Sequence, residues 1–153
     1  MKIAVVTDST AYLTKEEYAE YGVYVLPMSV IFGQETYREE IDITAEEFYA
    51  KVKSSPVFPT STQPAVGETY ELFRELAKDY DAIIPITISS GISGTYQTCV
   101  AVAEDMKDEI AIYPIDSEIS CAPQARAVKL AAIMAKSGEY SPEEIVETVQ
   151  RLV

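Results

Sequence analysis

Ala82-Ile-Ile-Pro-Ile-Thr-Ile-Ser-Ser-Gly-Ile-Ser-Gly-Thr-Tyr-Gln97 is the stretch on which the reading of this chain turns. Ala82 to Ile88 is a short apolar, β-branched run of strand length. Thr98 to Met106, just beyond, is rich in Ala and Val and contains no breaker. The order is strand, glycine-rich turn, helix. Ser89, Ser90, Ser93 and Thr95 place hydroxyls on that turn. Gly91 and Gly94 are expected to take positive φ and to let backbone N–H groups approach a ligand. A helix start carries unpaired N–H donors and a partial positive charge, which suits an anion. The Gly-Lys-Ser/Thr ending of a Walker loop is absent, and no lysine or arginine lies within the turn. Neutral donors without a cation fit a small monoanion, such as a carboxylate, better than a polyphosphate. A plainer reading stays open at this point, a tight turn whose hydroxyls only cap the helix.

Outward from this stretch the same alternation continues. Ile3 to Thr7 is an apolar strand that ends in Asp8-Ser9-Thr10, and Ala111 to Ile115 reads as one buried strand ending in Asp116-Ser117. Val23 to Leu26 is a further strand, and Ser29–Phe32 with Thr36-Tyr37 reads as a hairpin around Gly33-Gln34. Thr14-Lys-Glu-Glu17, Thr44-Ala-Glu-Glu47 and Ser141-Pro-Glu-Glu144 are capping-box patterns, each opening a helix. Gly22 and Gly138 are placed to end helices, and Ala122 to Lys136 is an Ala-rich helix. Arg38 to Asp42 reads as a charged, solvated connection. Phe58 to Pro64 reads as a loop between prolines, with Thr60, Ser61 and Thr62 carrying more hydroxyls than a cap requires. Pro64 suits the first turn of the following helix, whose Val66, Tyr70, Phe73, Ala77 and Tyr80 recur at helical spacing.

Strands alternating with helices predict an α/β fold, a mainly parallel sheet with helices on both faces. In such open sheets ligands bind beyond the carboxyl ends of the strands. Asp8-Ser9-Thr10, Ser89 to Thr95 and Asp116-Ser117 all lie at such ends. Asp8 and Asp116 could act catalytically or hold magnesium. With no cation or base nearby, the favoured reading has them fixing the loops by accepting hydrogen bonds from backbone N–H groups.

The bulk properties narrow the function classes. The 153 residues amount to one domain with a core of useful size. A net charge of −13 argues against nucleic acid and against adhesion to anionic membranes. There is no histidine, which removes His-based triads and His metal sites. No metal and no cofactor are expected. Cys99 and Cys121 form no CxxC pair, and both are expected to be buried free thiols. Neither a signal peptide nor a run of transmembrane length is seen, so a cytoplasmic, reducing location is expected. The last helix, with Ile145, Val149 and Leu152 on one face, meets no stop residue, so a further domain is expected to be missing from this chain.

Thr7-Asp8-Ser9-Thr10, the Pro59 to Pro64 loop with Gln63-Pro64 and Gly67-Glu68 beyond it, Ser89 to Gln97, and Asp116-Ser117 together resemble the N-terminal domain of the DegV family. The resemblance runs along essentially the whole chain. It implies a two-domain fatty-acid-binding protein. Such a protein presents the carboxylate of a long-chain fatty acid to a separate ATP-dependent fatty-acid kinase, which makes an acyl phosphate. By that likeness Ser93 and Gly94, with Ser61 and Thr62, bind the carboxylate, while Asp8, Ser9, Thr10, Thr95 and Asp116 support the loops. The family usually has Thr-Ser before Gln-Pro, and the order here is Ser61-Thr62. The family's second domain, which supplies much of the acyl tunnel, would complete the site. Two rival readings stand beside the non-catalytic carrier. One is a hydrolase or transferase of small acyl or phosphate substrates with Ser93 as nucleophile. The other is an interaction module whose acidic surface docks a basic partner.

Overall fold

The computed structural model describes residues 1–153. Strands β1 (Ile3–Asp8), β2 (Val23–Leu26) and β6 (Ala82–Thr87) form a parallel core in the order β2-β1-β6. Val5 lies opposite Val23 on one side and Ile84 on the other. Every residue of β1 and of β6 is buried, as expected of strands covered on both faces.

The far side of β6 departs from the sequence reading. Ala111 to Ile115 is not one buried strand. It is two short ones, β7 (Ala111–Ile112) and β8 (Ile115–Asp116), each parallel to β6, and Ala111 is exposed. Proline explains the break. The Ile83 and Thr87 carbonyls accept from Tyr113 and Ser117 N–H at 2.9 and 3.1 Å, so the odd-numbered groups of β6 face this neighbour. Pro85 falls between them and has no N–H to give.

Helices cover both faces. Against one lie α5 (Cys121–Ser137), α6 (Pro142–Gln150) and α1 (Lys15–Tyr21), around Val5, Ile84, Ile86, Val128, Ala131 and Ile145. Against the other lie α3 (Val66–Leu76) and α4 (Thr95–Asp105), around Val6, Ile83, Phe73, Val102 and Met106. All three capping boxes form with both arms present. Pro64 does not open α3: the cap is Ala65, and Pro64 lies one residue before it. Leu152 follows the end of α6 and is part-exposed, unlike Ile145 and Val149.

A second, antiparallel sheet stands beside the first, in the order β4 (Glu35–Arg38), β3 (Ser29–Phe32), β5 (Thr60–Thr62). The hairpin turns at Gly33, whose φ of 63° is the left-handed value such a turn needs. The stretch read as a hydroxyl-rich loop contributes strand β5, with Ser61 opposite Val30. Val30, Phe32 and Ile43 pack under α2 (Ala45–Ser54) through Phe48 and Val52. This sheet holds Ser61 and Thr62 beside the carboxyl edge of the parallel one.

Candidate functional site

At the end of β1, Asp8 is fully buried and acts as a junction. Its Oδ2 accepts from Ile88 N–H, just past β6, at 2.6 Å, and its Oδ1 accepts from Thr10 N–H at 3.0 Å. The Thr10 hydroxyl lies 2.5 Å from Asp8 Oδ1 and 2.9 Å from Gln124 Oε1. Having one proton, it gives it to the carboxylate at the shorter distance. Gln124, fully buried on α5, donates to Thr7 Oγ1 at 3.1 Å and Asp8 Oδ1 at 3.3 Å. On the other side of β6, Asp116 Oδ1 accepts from the Ser90 and Glu118 N–H groups, each at 3.0 Å. Burial pushes the Asp116 carboxyl upward, but hydrogen bonds from Ser90 and Glu118 outweigh it and hold the group below its ordinary 3.8.

The Ser89–Thr95 turn is tied down by its own backbone. Ile92 and Ser93 N–H donate to Ser89 O at 3.0 and 3.1 Å, Ser89 N–H to Ile119 O at 2.9 Å, and Gly91 N–H to Ser89 Oγ at 3.2 Å. Neither Gly91 nor Gly94 has positive φ, contrary to the sequence expectation; Gly94 sits at φ −77°. Its smallness is needed instead for close approach, because a β-carbon there would overlap Gln63 Oε1. Gln63 reaches across to donate to Thr98 Oγ1 at 2.9 Å, which ties β5 to the first turn of α4. The N–H groups of Gly94, Tyr96 and Gln97 have no partner within the chain, while that of Thr95 is taken by Ser93 Oγ at 3.3 Å. The Ser93 and Thr95 hydroxyls lie 2.9 Å apart, and Thr95 is buried. Either of these two hydroxyls can donate to the other, and the Thr95 hydroxyl also lies 3.7 Å from Met28 Sδ, a second acceptor for its one proton.

That cleft, about 590 Å³, is lined by Ser61, Thr62, Gln63, Ser93 and Gly94 together with Thr10, Tyr12 and Glu39. The apolar part of its lining comes from residues such as Met28, Ile88 and Ile92. The four residues expected to hold a carboxylate therefore border one space. Of the five expected to support the loops, only Thr10 borders it; Asp8, Ser9, Thr95 and Asp116 lie outside its lining. Ser61 Oγ makes no hydrogen bond within the chain, and Thr62 Oγ1 makes only a long one to Gln63 O at 3.4 Å. Tyr12, at φ 50°, is half exposed at the rim. Burial first, and the Glu39 charge second, push its hydroxyl pKa up, so it keeps its proton.

A family model described as "Uncharacterised protein, DegV family" matches residues 2–153. The chain belongs to the DegV family. It is 47% identical over 152 residues to "Protein DegV" of Bacillus subtilis, covering 99% of this chain and 54% of that protein. Among solved structures it resembles "DegV, a fatty acid binding protein from Bacillus subtilis" with a TM-score of 0.94 at 46% identity, over 99% of this chain and 53% of the other. A DegV family protein from Thermus thermophilus, described by its fatty acid binding, aligns with a TM-score of 0.90 at 28% identity, over 99% and 53%. The chain thus spans about half the length of these relatives.

Within this DegV domain, two site neighbours escaped the sequence reading. Glu39 lay in the connection read as solvated, yet it accepts from the buried Ser9 hydroxyl at 2.7 Å and borders the cleft. Gln124 was hidden in the Ala-rich helix; a lone amide on that helix's inward face was the available signal. The cysteines divide: Cys99 is buried, which with the Asp8 charge pushes its thiol up to about 12, whereas Cys121 is exposed at the first residue of α5. No helix is long and apolar enough to cross a membrane.

Proposed function

We propose that this chain is the head-group half of a cytoplasmic long-chain fatty-acid carrier without catalysis of its own. Ser93, Ser61, Thr62 and the Gly94 N–H hold the carboxylate, and a fatty-acid kinase receives it. The observation that carries this reading is the cleft itself, where spare hydroxyls and an unpaired N–H meet and no basic side chain enters the lining. The relatives described as fatty acid binding, at high structural similarity, support the same class of ligand.

The energetics agree. A hydrogen bond to a charged group contributes about 1.5–3 kcal/mol, against an association cost of about 4–15 kcal/mol. Burial of an acyl tail at roughly 0.8 kcal/mol per methylene, or about 12 kcal/mol for fifteen, must then supply the affinity. The hydroxyls orient the head. Uncharged donors also leave a carboxylate oxygen nucleophilic enough to attack the γ-phosphorus of ATP on the kinase, with ADP leaving. A second domain, corresponding to the half of its relatives that this chain does not span, would enclose the tail over exposed Tyr12 and Ile92. The Ser93 surroundings favour a carrier over a serine-nucleophile enzyme, because its hydroxyl partner is another hydroxyl rather than a base.

Native mass spectrometry of the full-length protein purified from cells tests the reading. A co-purified long-chain acid is the expected result, and a clean apo protein that hydrolyses esters would sink it. Ser93→Ala is expected to weaken acid binding by about 1.5–3 kcal/mol, the worth of one charge-assisted bond. It should lower acyl-phosphate formation by the kinase further still. Unchanged acyl-phosphate formation would remove Ser93 from the site.

A further inference from the structure

The hydroxyl of Thr95 is placed between two acceptors. Its side chain is buried at the first residue of α4, and the hydroxyl carries one proton. Ser93 Oγ lies 2.9 Å from it and Met28 Sδ 3.7 Å. Ser93 Oγ also accepts from Thr95 N–H at 3.3 Å, which leaves it one lone pair and its own proton. Two arrangements satisfy the pair. In the first, Thr95 donates to the sulfur and Ser93 donates to Thr95, so both protons are spent inside the chain. In the second, Thr95 donates to Ser93, both Ser93 lone pairs are filled, and the Ser93 proton must find its partner in the cleft. A thioether is a weak acceptor, so the first arrangement is held only lightly.

Resting on the function proposed above, we infer that Thr95 is the positioning residue that turns the Ser93 proton toward the bound head group, with Met28 Sδ as its resting acceptor. A carboxylate has no proton and only accepts, so its arrival selects the second arrangement. Thr95 then acts in two ways. It fills the remaining Ser93 lone pair, which fixes the Ser93 hydroxyl as a donor, and it polarises that hydroxyl through the chain of bonds. An ionised acyl phosphate likewise only accepts, so one arrangement serves both ends of the kinase step. An alcohol head both donates and accepts, so either arrangement meets it and it gains nothing from Thr95. Selectivity for a carboxylate over an alcohol therefore depends on a buried residue outside the cleft lining.

The test measures binding of hexadecanoate and hexadecanol to the full-length protein and its variants. Thr95→Val keeps the shape and removes the hydroxyl. It is expected to weaken hexadecanoate roughly fivefold and to leave hexadecanol unchanged. Thr95→Ser restores the hydroxyl and is expected to bind both ligands as wild type does. Met28→Leu conserves volume and removes the sulfur, so the Thr95 proton has only Ser93 to meet, and hexadecanoate is expected to tighten about twofold. Tail burial keeps binding measurable in Ser93→Ala, and in that background neither Thr95→Val nor Met28→Leu should alter hexadecanoate affinity. Three results overturn the inference and leave the carrier reading intact: unchanged or tighter hexadecanoate binding in Thr95→Val, equal weakening of both ligands, or a loss that persists in Ser93→Ala. A full-length wild type that fails to bind hexadecanoate overturns both.

Discussion

A methyl group on Gly94 would overlap Gln63 Oε1, and Gln63 is the side chain that ties β5 to α4 through Thr98. Because the obstructing atom is the end of a flexible side chain, Gly94→Ala should displace Gln63 rather than unfold the turn. We expect a loss of about 1–2 kcal/mol in chemical denaturation, mostly the lost Gln63–Thr98 bond and repacking. In a Gln63→Ala background the same substitution should cost almost nothing, and a double-mutant cycle checks this. Full additivity would mean that the glycine serves some other need. At this scale the sequence signalled which residue types gather on the turn, but it misassigned the reason for the glycine. A backbone angle is a local property, whereas close approach depends on where Gln63 comes to lie.

Elements were the most legible level, because their signals are local. Thr14–Glu17, Thr44–Glu47 and Ser141–Glu144 each close a reciprocal pair of bonds within four residues, so their spacing predicts the helix start directly. Helix α3 shows what happens when half the signal is missing. Glu68 accepts from Ala65 N–H at 3.3 Å, but alanine has no oxygen with which to return a bond to the helix. Ala65→Ser should therefore complete the box and add about 0.5–1 kcal/mol, read as a raised denaturation midpoint at unchanged slope. A midpoint at or below that of the parent would show that Ser cannot adopt the cap there. Strand β5 was not legible, because Thr60, Ser61 and Thr62 are all exposed and show no buried-face alternation. Their strand character comes from pairing with β3.

Across the whole molecule the cleft depends on loops from separate strands being held at one edge, and Asp116 is one of the pins. Its carboxyl lies below the ordinary 3.8 in the folded protein. The stability it contributes is therefore present above that value and is lost as pH falls through the lower folded one. Urea denaturation should show this loss only on the acid side, with the Asp116 carboxyl titrating below 3.8 by NMR. Asp116→Asn should flatten that part of the profile, and an unaltered profile would exclude Asp116 as its source. The sequence by itself determined the alternation of strands and helices, the buried central strands, and the polar residues at the strand ends. Each of these follows from periodicity or from bonds spanning a few positions. Tertiary structure alone decided the division of the strand at Pro85, the second sheet, and the contacts of Gln63 with Thr98, Glu39 with Ser9 and Gln124 with Thr10. Those contacts join segments far apart in the chain, and no local pattern specifies which distant surfaces will meet.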